Sequence, residues 1–132
     1  MSSIFTRIIK GEIPSYKIAE DEHYYAFLDI NPVAKGHTLV IPKVEIDYLF
    51  DHSDETLAGM LPFAKKVALA IEAVVPCERI GLTVIGLEVP HAHIHLIPIN
   101  GLHDMDFGKP KVAMSQDDFQ SLAAEIASKV AG

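Results

Sequence analysis

Histidine alternates with small or apolar residues in His91-Ala92-His93-Ile94-His95-Leu96-Ile97-Pro98. A period of two is the period of an extended strand, which sends alternate side chains to opposite faces. The three imidazoles share one face, and Ala92, Ile94 and Leu96 share the other. A strand whose second face is apolar belongs inside a packed sheet, so the run predicts an interior strand. Imidazole exchanges protons near neutral pH, attacks electrophiles and ligates metals, so three on one face predict a reactive site.

The 132 residues, 49% of them hydrophobic, suit a single domain spanning 1–132 with a real core. No apolar run reaches bilayer length, and Met1 to Arg7 lacks the layout of a signal peptide, which leads us to expect a cytoplasmic protein. Cys77 is the only cysteine, so neither an internal disulfide nor a cysteine cluster for zinc can form. The formal net charge of -7, without a basic run, argues against nucleic acid or an anionic membrane as partner. A small-molecule substrate stays open.

Ile4, Phe5, Ile8 and Ile9 stand at helical spacing before Gly11 and Pro14, predicting a short first helix. Tyr16–Glu20 and Tyr24–Ile30 flank the turn Asp21-Glu22-His23 and predict a hairpin. Gly36–Pro42 and Ile80–Ile85 read as the third and fourth strands, and the histidine run is the fifth. Ser53 caps a long helix whose inner face is Leu57, Met60, Leu61, Ala64, Val67, Ala68, Ile71 and Val74, with Pro62 expected to kink or split it. Asn100 to Pro110 is polar loop. Ser115 and Asp118 form a capping box that opens a last helix, burying Phe119, Leu122, Ala123, Ile126 and Val130. This order defines an α+β chain with antiparallel pairing. His23, His52 and His103 read as solvated loop histidines.

His91 to Ile97 resembles the signature of the histidine triad (HIT) family, and specifically its Hint-like, nucleotide-binding branch. Ile4-Phe5, Gly11-Glu12-Ile13-Pro14, Ala26 to Pro32 and Gly36 to Lys43 resemble the family in the same order, so the likeness covers residues 4 to 99. It leaves about 100–132 as a C-terminal extension. The resemblance implies a five-stranded antiparallel sheet with one main helix, a short N-terminal helix and a C-terminal helix, assembled as a homodimer. It implies a hydrolase, a nucleotide phosphoramidase acting at the α-phosphorus of a purine nucleotide through a nucleotidyl-histidine intermediate. His93 would be the nucleophile and His95 the donor to phosphate or departing group, while His91 and His37 hold ring orientation and tautomer. Asp29 would bind the ribose hydroxyls. Phe5, Ile8, Ile13, Phe27, Leu28 and Ile30 would line the base slot, and backbone N–H groups at Glu88 and Val89 would seat the phosphate.

Several positions depart from that pattern. Ser3 and Thr6 stand where many relatives carry cysteines for a structural zinc, and Glu45 stands where a histidine is common, so no metal and no cofactor are expected. The segment Val84-Ile85-Gly86-Leu87-Glu88-Val89-Pro90 lacks the polar side chains that usually cradle phosphate. Two other readings remain: a zinc-dependent hydrolase using the three strand histidines as ligands, and a nucleotide-binding protein with little turnover.

Overall fold

The computed structural model describes residues 2–131. Three helices, α1 (Ile4–Ile9), α2 (Asp54–Val74) and α3 (Gln116–Ala127), accompany five strands: β1 (Lys17–Glu20), β2 (Tyr24–Leu28), β3 (Thr38–Pro42), β4 (Arg79–Thr83) and β5 (Ile94–Ile99). The strands form one sheet in the order β1-β2-β3-β5-β4, with every neighbouring pair antiparallel. This is the expected α+β architecture.

Local chemistry explains the element ends. Ser3 and Ser53 each accept the N–H three residues on, capping α1 and α2, and Asp54 and Glu55 place negative charge on the positive end of α2. In the Ser115–Asp118 box both reciprocal bonds are present. The Asp21 carboxylate accepts from the His23 and Tyr24 amides at 2.8 Å each, closing the β1–β2 turn.

The sheet is covered on both faces. Tyr24, Ala26 and Leu28 of β2, with Val40, Ile94 and Leu96, face α2 and α3 in the main core. Tyr25 and Phe27 alternate to the other face, where Leu39, Ile41 and the α1 residues Phe5 and Ile8 form a second cluster. Within the stretch read as an extension, Phe119, Leu122, Ala123 and Ile126 of α3 join the main core. No helix among the described residues is long and apolar enough to cross a membrane.

The structure corrects the sequence reading in four places. The fifth strand starts at Ile94. His91, Ala92 and His93 precede it in an irregular segment held by His91 N–H to Val89 O and Ala92 N–H to Ile46 O, both 2.8 Å. β4 ends at Thr83 rather than Ile85, because the following chain leaves the sheet and turns at Gly86, whose φ is +76°. α2 runs through Pro62 as one helix and is not split there. Pro62 and Ala58 lie on the exposed side, so the carbonyl that proline leaves unbonded can take water. Leu61 shares that outer side at 60% exposure, and Phe63 and Ala70 take core places instead.

Candidate active site

Sheet register carries the site. β3 and β5 are paired so that Leu39 lies opposite His95, and Asp29 N–H to His37 O extends the β2–β3 ladder by one bond. His37 therefore stands beside His95. The tight path into β3 uses Gly36 at φ +94°, where a Cβ would lie 3.0 Å from Val75 Cγ2 and 3.2 Å from Pro98 Cγ. Only glycine fits there without displacing its neighbours. The three triad histidines and His37 are all buried.

The hydrogen bonds of these rings specify their tautomers. His93 Nδ1 lies 2.8 Å from His91 O. A carbonyl can only accept, so Nδ1 carries the proton and the neutral ring keeps a bare Nε2. His37 Nδ1 accepts from the Val33 amide at 3.1 Å, which leaves the neutral ring's proton on Nε2. That Nε2 donates to His95 Nδ1 at 3.0 Å, so neutral His95 presents Nε2–H. The His93 and His95 rings meet edge to face with centroids 4.9 Å apart. One ring thus offers a lone pair and its neighbour an N–H.

Burial, then the Lys111 charge and His93, hold the His37 pKa down at about 4. Burial, then His93 and His37, do the same for His95, also to about 4. Both are neutral at pH 7 in the unliganded protein. Burial also lowers His91, partly opposed by its bond to the Pro42 carbonyl and by Glu45.

His91 lies inside a polar cluster behind the site. Its Nε2 donates to Pro42 O at 2.8 Å, so Nδ1 accepts from the Ser3 hydroxyl, also at 2.8 Å. Glu45 Oε1 accepts from the Ser3 amide at 2.7 Å and the Thr6 hydroxyl at 2.6 Å. These donors, Thr6 first, hold the Glu45 carboxyl at about 2. The cluster does not fit a zinc ion: it offers hydroxyls in place of thiolates, and the His91 and Glu45 lone pairs are already bonded. Nor do His91, His93 and His95 converge as ligands, since both nitrogens of His91 and Nδ1 of His93 are engaged. Among the described residues, Asp29, His37 and His95 bring ligand atoms within 4.8 Å of one another. There the His37 proton already bridges the two rings.

Two cavities, about 240 and 230 Å³, meet at Asp29, Glu88, His93 and His95. Phe5, Ile8, Ile13 and Phe27 wall the first; Ile30 stands 65% exposed among its lining residues, and Leu28 reaches it from the main core. Val89 belongs to its rim. Phe5 packs edge-on to His93 at 5.1 Å and His91 at 5.7 Å. Asp29 Oδ1 accepts from the Asn31 amide at 2.8 Å, leaving Oδ2 at 3.5 Å from His37 Nε2. The second cavity adds Phe107 and Lys111 from the 100–115 segment. Neither was singled out from the sequence; the one signal was an aromatic in a polar loop. His91 lines neither cavity. His52, expected in solvent, is 6% exposed with Nε2 unpartnered among the described residues, because the short turn Leu49–Asp51 folds it inward. His23 and His103 are exposed, as expected.

A buried imidazole with a bare ring nitrogen, a neighbouring imidazole N–H and an adjoining apolar cleft thus meet in one site, and the chain belongs to the HIT family. The HIT domain model matches residues 10–102. The adenosine 5'-monophosphoramidase hnt1 of Schizosaccharomyces pombe is 41% identical over 133 residues, covering 98% of this chain and 99% of that protein. A HIT-like protein from Bartonella henselae superposes with a TM-score of 0.83 at 30% identity, covering 97% of this chain and 96% of that one. A zinc-bound histidine triad protein from Mycobacterium smegmatis gives 0.80 at 30% identity, covering 97% and 95%.

The lowered histidine pKa values predict how stability depends on pH. An unfolded chain binds protons at His37 and His95 near pH 6.5, whereas the folded one does so near 4. Stability is therefore complete above pH 6.5 and falls as pH drops toward 4. Thermal melts across this window should show a falling Tm, less steeply in His37→Gln; a flat profile would contradict the buried neutral pair.

Proposed function

We propose that the chain is a nucleotide phosphoramidase, releasing a nucleoside monophosphate from a phosphorus–nitrogen bond. The observation that carries this is the bare Nε2 of His93 beside the Nε2–H of His95, at the junction of an apolar cleft and a second cavity. The similarity to an adenosine 5'-monophosphoramidase supports the same reading. A purine is the base that the walls Phe5, Ile8, Ile13 and Phe27 suit, and Asp29 would accept from the ribose hydroxyls through its carboxylate.

The steps follow from the tautomers. The phosphoramidate anion beside His95 favours protonation of that ring at its bare Nδ1, and the His37 Nε2–H then turns from His95 to Asp29 Oδ2, 3.5 Å away. His93 Nε2 attacks phosphorus, the bond to the leaving nitrogen breaks, and that nitrogen takes the His95 Nε2 proton. Water then attacks the phosphorus–imidazole bond, returns a proton to His95 and releases the nucleoside monophosphate. His91 supplies the carbonyl that keeps Nδ1 of His93 protonated, and the amides of Glu88 and Val89, which donate to no protein acceptor among the described residues, are available to the phosphate.

The protein is proposed to work in the cytoplasm, as its lone thiol and nucleotide chemistry suit, and as a homodimer. β4 is an open sheet edge, and Leu82, Ile85, Tyr48 and Phe50 are exposed at 45%, 45%, 60% and 70%.

His93→Ala should keep AMP binding while turnover of adenosine 5'-monophosphoramidate falls on the order of a thousandfold or more. Turnover at the wild-type rate would remove the mechanism, and a wild type that binds AMP without turnover would leave a binding protein. Sedimentation at micromolar concentration should show a dimer; a monomer would remove that part of the proposal.

A further inference from the structure

The second cavity has a charge problem. Its walls carry two carboxylates, Asp29 and Glu88, and burial keeps the His95 beside them neutral at pH 7. The loop 84–90 provides no hydroxyl, amide or cationic side chain, only valine, isoleucine, glycine, leucine, glutamate and proline. A phosphate dianion entering here would meet net repulsion unless a cation came from elsewhere. Among the described residues, one cation lines the cavity: Lys111.

Lys111 is held there by its own segment. The Val112 amide donates to Pro32 O at 2.8 Å, tying the chain beside the Asp29–Asn31 turn. Phe107 inserts edge-on against His95 and His37, with centroids at 4.8 and 5.8 Å. The Lys111 ammonium donates to Phe107 O at 2.6 Å and lies 5.8 Å from that ring's centroid. Its charge is near enough to help keep a proton off His37. The side chain is otherwise exposed, so the ammonium can turn from a carbonyl to an arriving anion by rotating about its flexible stem.

We propose that Lys111, carried into the site by the 100–115 segment, is the residue that neutralises the substrate's phosphate and so makes the site selective for phosphorylated nucleosides. The proposal rests on the nucleotide reading above. It gives this segment a function apart from packing: Phe107 closes the wall over the histidine pair, and Lys111 supplies the charge that the 84–90 loop lacks.

Calorimetric titration of AMP and of adenosine into wild type, Lys111→Met and Lys111→Arg tests it. Lys111→Met should weaken AMP about tenfold or more while leaving adenosine unchanged, and Lys111→Arg should restore most of the loss. The AMP affinity of wild type should also depend more steeply on salt than that of Lys111→Met. Equal AMP affinity in wild type and Lys111→Met, or equal weakening of AMP and adenosine, would overturn the role of Lys111 while leaving the nucleotide reading intact. A wild type that binds neither ligand would overturn both. Lys111 is exposed and lends one side-chain hydrogen bond, so matching melting curves for the variants separate this effect from misfolding.

Discussion

Between His37 Nε2 and His95 Nδ1, 3.0 Å apart, lies a single proton, and the Val33 amide decides which ring owns it. Because the amide occupies His37 Nδ1, the proton must sit on His37 Nε2, and His95 must turn its own N–H toward the cavities. The contact depends on β3 and β5 being neighbours in one register. A slip of one residue would send His95 to the helix-packed face and Ile94 to the site. The sheet order β1-β2-β3-β5-β4 is thus part of the chemistry, since it brings together residues 58 positions apart.

A second set of bonds settles His93. His91 O takes the Nδ1 proton, and His91 is itself pinned by Pro42 O and Ser3. Ser3 also caps α1, the helix that brings Phe5 against both rings. Through Ser3 and Thr6, Glu45 anchors the start of the same helix. One hydroxyl therefore joins a helix cap, a cleft wall and a ring orientation. Burying four imidazoles is tolerable because their ring nitrogens find partners in one another, in carbonyls and in the Ser3 hydroxyl, and because His37 and His95 are neutral at pH 7.

Features encoded by short-range periodicity or local capping were legible before the structure. The Ser53 cap, the Ser115–Asp118 capping box and the short first helix that buries Phe5 and Ile8 are all present. Long-range effects were hidden. Leu61 fits the inner stripe of α2 by spacing, yet Phe63 and Ala70 fill the core and Leu61 faces out. His91 and His93 keep the alternation of a strand while their amides bond to loops, so periodicity could not reveal where the ladder begins. His52 is surrounded in sequence by acids and serine, and only the turn at Leu49–Asp51 buries it. Phe107 and Lys111 reach the site because Val112 pairs with Pro32, a contact between segments 80 residues apart that leaves no local signal.

The central claim is that this network holds His93 with a bare Nε2 and His95 with a bare Nδ1. Nitrogen NMR of the uniformly labelled protein at pH 7 reads it directly, with assignments from single histidine substitutions. The account predicts a pyridine-type resonance at Nε2 of His93 and Nδ1 of His95, and a pyrrole-type resonance at the partner nitrogen of each ring. A protonated Nε2 on His93, or tautomers averaged in either ring, would contradict it.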